Sequence, residues 1–354
     1  MNKECMFKTT ALLVILSIAS AFFSCKGKDG NEKTVPKELV FYNWKDFTDL
    51  SILKDFEKET GIKVILKEYE TRDMCIAQLQ TNPGLCDVLI LDTTNIAYCE
   101  KQKLIKKFDL SKIPNSKLID GKTKSRLTGE LKDKIPYVIG TNGIMINTKY
   151  VPAASDSWNI FWDKKYKNRV MLLDDMREAI ASVLFKSGLS ANESNPEKLK
   201  LAKMNARLLK NNGITFGETF TNIDKVLKGE KWIAQTYNGD FVWKTKGKKE
   251  FKFIYPKEGF LTWIVIFALH SDAKNSEGGH KFVNFMLRPD IAARSATTFS
   301  YPAPIVGIEK YMDKKLSENE IIYPSKEVLK RGEIYRDMGK STNEFQKIFN
   351  LMKK

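Results

Sequence analysis

The fold is decided by the stretch Glu38–Glu70, ELVFYNWKDFTDLSILKDFEKETGIKVILKEYE. ELVFYNW reads as a strand, SILKDFEKETG as a helix closed by Gly61, and IKVILKEYE as a second strand. The alternation continues with TRDMCIAQLQ, a helix for which Thr71 is the expected N-cap, the strand CDVLILD and the helix NIAYCEKQKLI. Strands alternating with helices imply βαβ units and a mostly parallel sheet, with ligands received at the carboxyl ends of the strands. At one such end Tyr42, Trp44 and Phe47 are interleaved with Asn43, Lys45 and Asp46. Strand alternation buries one face and wets the other, so these aromatics either pack under a neighbouring domain or face a ligand.

Downstream, Leu110 to Lys134 is polar and irregular, and the pattern resumes at PYVIGTNGIMIN. A second series follows: RVMLLDD, MREAIASVLFKSG, NPEKLKLAKMNARLLKNNG, ITFGE, NIDKVLKGE, WIAQTYNG and FKFIYP. LTWIVIFALH is a long apolar strand, and EGGHKFVNFMLRPDIAARSA reads as one long amphipathic helix. PYVIGTNGIMIN and GFLTWIVIFALH exceed the usual strand of about five or six residues, and Gly140, Gly143 and Gly259 lie in or beside them. Long strands shared by two domains make good hinges. No internal repeat or low-complexity segment is visible.

Upstream, Met1–Lys8 is basic and Thr9–Phe23 is an uncharged run too short to span a membrane. Residues 1–24 therefore read as a signal peptide. The Ser24-Cys25 junction looks like a bacterial lipoprotein processing site, at which Cys25 is acylated; ordinary secretion is the alternative. Phe22 and Phe23 are bulky for such a site. Lys26–Pro36 reads as a solvated tether.

The remaining chain is long enough for two domains. A net charge of +16 would suit nucleic acid or anionic lipid, but the excess is dispersed lysine, with nine arginines in all. Arginine-rich, aromatic-interleaved patches for nucleic acid are not visible, so no nucleic-acid partner is expected. Cys75, Cys86 and Cys99 show no metal-ligand spacing and read as buried thiols, or as one bridge and one thiol. With His270 and His280 the sole imidazoles, zinc hydrolases and His-based triads lack their parts. No metal, cofactor or enzymatic activity is expected.

In LLDDMREAI, Asp175 and Glu178 have the spacing of a capping box, worth about one kcal/mol. Three residues apart, they also share a helix face at the mouth of a strand-to-helix loop, where they could receive a cation. The readings are compatible, because a carboxylate has spare lone pairs. Asp92, in LILDTTN, ends another strand and is either an N-cap or a ligand group. Trp44, Phe47, Tyr237 and Trp263 lie near strand ends, each a core residue if taken alone. Together, acids and rings suit an amine, through cation–π attraction and charge-assisted hydrogen bonds.

These stretches resemble the periplasmic spermidine/putrescine-binding proteins of polyamine importers. The matching segments are FYNW, FEKETGIKV, LLDDMRE, YNG (237–239), YPKEG (255–259), NFMLRPDIA (284–292) and YPAP (301–304), spread in the family's order across almost the whole mature chain. The resemblance implies an α/β fold with two lobes, mostly parallel central sheets, flanking helices and hinge strands. It implies a ligand site of Trp44, Asp46, Phe47, Asp92, Thr94, Asp175, Glu178, Tyr237, Trp263 and Tyr335. Asp175, Glu178 and Trp263 match identically. Phe47 stands where the family often has Tyr, Asp92 and Thr94 where it has Ser and Tyr, Tyr237 replaces Trp, and Tyr335 a Gln. Val265 replaces the family's deep aspartate, while Asp92 adds a carboxylate and Lys45 a nearby positive charge.

The expectation is thus a monomeric, lipid-anchored binding protein that closes by hinge motion on putrescine or spermidine and delivers it to an ABC permease. The lobes are expected to be 37–140 plus 261–304, and 141–260 plus 305–354. The competing reading is a surface lipoprotein with an altered or vestigial cleft, taking another cationic solute or holding polyanions on its basic exterior.

Overall fold

The computed structural model describes residues 36–152, 155–336 and 338–353. The leader, Cys25 and the tether up to residue 35 lie outside the described residues. Eleven strands form the framework: β1 (Glu38–Trp44), β2 (Lys63–Tyr69), β3 (Val88–Asp92), β4 (Ile105–Lys106), β5 (Ile135–Asn147), β6 (Val170–Leu173), β7 (Thr215–Gly217), β8 (Ile233–Tyr237), β9 (Phe251–Ile254), β10 (Phe260–His270) and β11 (Gly332–Ile334). Their main order is β2-β1-β3-β10-β5-β8-β6-β7.

Parallel pairing joins β1 to β2 and β3 at one end of this order, and β6 to β7 and β8 at the other. The two long strands differ: β10 is antiparallel to β3 and β5, and β5 to β8 and β9. Apart from a short parallel pairing of β11 on β10, the parallel ladders lie on the flanks and antiparallel ones in the middle, so the sheets are mixed. Both long strands cross from one hydrophobic core to the other. Val138 of β5 and Val265 of β10 pack in a core with Leu39, Phe56 and Phe282, whereas Ile144 and Leu261 pack in a second with Trp158, Val183 and Ile348. With further clusters on the opposite sheet faces, around Leu89 and Ile266 and around Met145 and Phe241, cores at either end of the shared strands make two α/β lobes.

Local signals explain the helices. Thr71 accepts the Met74 N–H at 3.1 Å as N-cap of the helix Arg72–Thr81. Gly61 closes the helix Leu50–Thr60 at φ 69°, a left-handed backbone that favours glycine. One expectation is corrected. The long helix after β10 is two, Ser276–Met286 and Pro289–Phe299, because Pro289 cannot donate into a preceding turn and instead starts the second helix. The segment 110–134 also holds a short helix, Gly121–Arg126, capped by Asp120.

Cys75, Cys86 and Cys99 are free and buried, and burial raises all three thiol pKa values. The histidines are structural too. His280 Nε2 accepts from the Asp109 N–H at 2.9 Å, and His270 Nδ1 from Asp272 N–H at 3.1 Å. Among the described residues no helix is long and apolar enough to cross a membrane, and no cluster of His, Cys, Asp and Glu could hold a metal.

Candidate functional site

β3 ends in Asp92, which is 5% exposed. Its Oδ1 accepts from the N–H of Thr94 at 2.9 Å and from the Thr94 hydroxyl, which fixes the carboxylate over the turn. Asp92 lies directly opposite Val265 in the antiparallel β3–β10 ladder. Directly opposed residues project to the same face, so the Asp92 carboxylate and Val265 share one face of the sheet.

From the other lobe, β6 leads into the helix Met176–Lys186 through Asp175. Asp175 Oδ1 takes the N–H groups of Arg177 and Glu178 at 2.8 and 3.1 Å, and is a true N-cap. The reciprocal half of a capping box is absent. Glu178, with 0% exposure, turns inward, where its carboxylate accepts the Asn142 amide at 2.5 Å and the Tyr335 hydroxyl. Burial, then the nearby Asp175 charge, pushes Glu178 up to about 7 against the opposing hydrogen bonds. Asn142 also accepts the Leu261 N–H at 2.9 Å, which ties both crossing strands to Glu178.

Tyr335 comes from the far end of the chain. β11 adds to β10 in parallel, Phe260 opposite Gly332, and delivers Tyr335 one residue past its end. The Arg177 guanidinium lies 5.4 Å from the Tyr335 ring centroid and bonds Asn192 Oδ1 at 2.9 Å.

Arg72 joins the two acidic groups. Its Nε donates to Asp92 Oδ2 at 2.7 Å and one terminal nitrogen to Asp175 Oδ2 at 2.8 Å, so one guanidinium bridges two lobes. Burial works against its charge, and the Asp92 and Asp175 carboxylates outweigh that, raising its pKa above the ordinary arginine value. The sequence does not single out Arg72, which follows the Thr71 cap as the first residue of its helix. A usable signal was present, because a cation at a helix N-terminus opposes the macrodipole and calls for another partner.

The aromatics divide. Trp263 on β10 meets Tyr237 edge-on at 5.9 Å and Tyr301 at 4.8 Å. Its indole lies across β5 at Gly140, where an added Cβ would come within 1.9 Å of the ring. The buried Trp263 Nε1 has no hydrogen-bond partner. Tyr237, at the end of β8, feels the charges of Glu178, Asp175 and Arg72; burial above all, then Glu178, raises its pKa well above the ordinary value. Trp44 leans on Tyr69 at 4.5 Å, and the Tyr69 hydroxyl donates to Ile90 O at 2.6 Å.

Phe47 packs with Phe299 at 4.4 Å and Tyr137 at 6.1 Å, within the first core's fringe. Asp46 is exposed in the turn after β1 at φ 58°, its N–H donating to Glu68. Lys45 pairs with Glu70 at 2.8 Å, not with Asp46. Asp92, Thr94, Asp175, Glu178, Tyr237, Trp263 and Tyr335 thus form a connected group, while Asp46 and Phe47 stand outside its hydrogen-bond network. The turn itself is shaped by Asn43, whose fully buried amide donates to Phe47 O and Thr48 Oγ1 and accepts the Trp44 N–H.

A family model of bacterial extracellular solute-binding proteins matches residues 51–321. The chain belongs to that family. Its members bind solutes for ABC importers, a transport role without enzymatic chemistry. The spermidine/putrescine-binding periplasmic protein of Escherichia coli (strain K12) is 31% identical over 318 residues, 89% of this chain and 91% of that protein. The crystal structure of the spermidine/putrescine ABC transporter substrate-binding protein PotD from Streptococcus pneumoniae superposes with a TM-score of 0.82 at 25% identity, covering 90% of this chain and 99% of that one. The TpPotD lipoprotein of Treponema pallidum gives 0.81 at 25% identity, over 89% and 99%. The resemblance read from the motifs and the two-lobed α/β fold both stand, and membership places the protein outside the cytoplasm.

Proposed function

We propose that this solute-binding protein captures a polyamine, putrescine or spermidine, between its lobes and presents it to the permease of an ABC importer. We take the lobes to divide near the boundaries expected from the sequence, with Gly140–Asn142 and Phe260–Trp263 as the hinge, except that Ile305 and Ile308 pack with the first core and Leu261 with the second. The mature protein is held on the membrane by acylated Cys25. Glu178 carries this reading. It is a fully buried carboxylate with no lysine or arginine at ion-pair distance among the described residues, held by Asn142 and Tyr335 and close enough to Tyr237 for its charge to act on that hydroxyl. Such a group is costly to bury charged unless a cation meets it.

In the bound state an ammonium meets Glu178, the methylenes lie on Trp44, Tyr237 and Trp263, and a further ammonium reaches Asp175 and Asp92. Thr94 keeps Asp92 oriented, and Asp46 and Phe47 line the outer edge. The names of the relatives and the buried Asp92 carboxylate opposite Val265 support the same guest class.

Calorimetry with putrescine and spermidine tests this. Saturable binding abolished by Glu178→Gln is expected. Silence toward amines, together with salt-sensitive retention on heparin, would favour the basic-surface reading instead.

A further inference from the structure

Arg72 stands where an amine-binding cleft would hold part of its guest. Two carboxylates from different lobes converge on one cationic head at 2.7 and 2.8 Å, and that head belongs to the protein. Asp92 is 6% exposed at its side chain and Asp175 28%, so the bridge is largely shielded from solvent. Its origin is unusual for an ion pair that merely decorates a surface. Arg72 is the first residue of its helix, where a positive charge opposes the macrodipole, and Thr71 has already capped that end.

We propose that Arg72 is an internal competitor of the polyamine: it holds the empty lobes together by mimicking one ammonium group, and the guest must displace it to reach Asp92 and Asp175. This rests on the polyamine reading of the cleft and deepens it. An arginine can swing aside because its long side chain is tethered at the cleft's rim. Asp92 and Asp175 cannot follow, since each is fixed by backbone N–H groups, from Thr94 in one case and from Arg177 and Glu178 in the other. Displacement exchanges one charge-assisted contact for another, so the guest gains less than it would in a cleft with vacant acids. Without Arg72, three carboxylates from two lobes would repel one another in the empty protein. That favours an open form and strengthens the pull on a dication.

The test uses the mature protein and its Arg72→Gln variant, with small-angle scattering of the amine-free proteins and calorimetry with putrescine and spermidine. The wild type should be compact without amine. Arg72→Gln should be more expanded, should compact on adding putrescine, and should bind it at least about tenfold more tightly, a change readily resolved by calorimetry. Asp175→Asn is the second variant, because asparagine keeps the helix cap while removing the charge; it should expand the free protein but weaken binding. Equal radii of gyration for wild type and Arg72→Gln, or unchanged or weaker binding in Arg72→Gln, would overturn the competitor role. If wild type and Arg72→Gln both ignore amines while their radii still differ, it is the polyamine guest that fails and the Arg72 bridge that survives.

Discussion

Glu178 is where the site's chemistry is most exposed to measurement. Its carboxyl titrates near 7 in the folded chain against an ordinary 4.5, chiefly because it is buried. Between those two values the folded state holds a proton that the unfolded state has released, so folding stability falls as pH rises through this window. The stabilisation is fully present below about 4.5 and lost above about 7, on the order of 3 kcal/mol in all. Urea titrations of the amine-free protein between pH 5 and 8 should show wild type losing stability relative to Glu178→Gln. Parallel curves would mean that Glu178 does not titrate there. The same proton reports on the guest: an ammonium favours the carboxylate, so binding at pH 6.5 should release a proton and tighten toward pH 8. Calorimetry in buffers of different ionisation enthalpy reads that release directly, and no buffer dependence would remove Glu178 as the anchor.

At the level of elements, the two crossing strands carry both the fold and the site. Asn142 joins them, accepting from Leu261 on β10 while donating to Glu178. Asn142→Ala orphans a buried amide N–H and one carboxylate oxygen and should cost about 1–3 kcal/mol in chemical denaturation. Loss of less than half a kcal/mol would show the tie to be incidental. Gly140 makes a separate demand: Gly140→Ala puts a Cβ into the Trp263 ring, so the indole must leave the cleft, with altered tryptophan fluorescence and weakened amine binding as the readouts. Most strands and helices were legible because their periodicity is local. The break at Pro289 was not, since the amphipathic pattern runs on across Arg288 and Pro289 and hides the missing N–H. Among site residues, Asp92, Asp175 and Glu178 were legible as acids at strand ends. Asp175 showed its cap, but the inward turn of Glu178 depends on Asn142 and Tyr335, 36 and 157 residues away, and no local spacing encodes that. Arg72 escaped for the same reason, its partner Asp175 being 103 residues distant.

At the scale of the whole molecule, the cleft proposed to hold cations sits in a chain of net charge +16. The two fields act over different distances. Contacts to Glu178, Asp92 and Asp175 work at a few ångströms in a shielded setting, whereas the lysine-rich exterior is felt across the solvent and screened within about 8–10 Å at physiological salt. A polyamine approaching from bulk therefore meets repulsion first and attraction last. Its association rate should rise as sodium chloride increases from low to physiological concentration, the reverse of steered encounters between opposite charges. Stopped-flow fluorescence, with Trp44 and Trp263 as intrinsic reporters, measures this rate. A rate that falls with salt would mean that the acids at the cleft mouth dominate the far field and that the lysines lie on faces the guest never passes. The dissociation rate should change much less, because the bound cation is enclosed by groups too close for mobile ions to intervene. A guest caught slowly by a repelling exterior and retained by a buried carboxylate puts the salt sensitivity into capture rather than residence. The two rate constants can be varied separately, by lysine substitutions on the exterior for the first and by Glu178→Gln for the second.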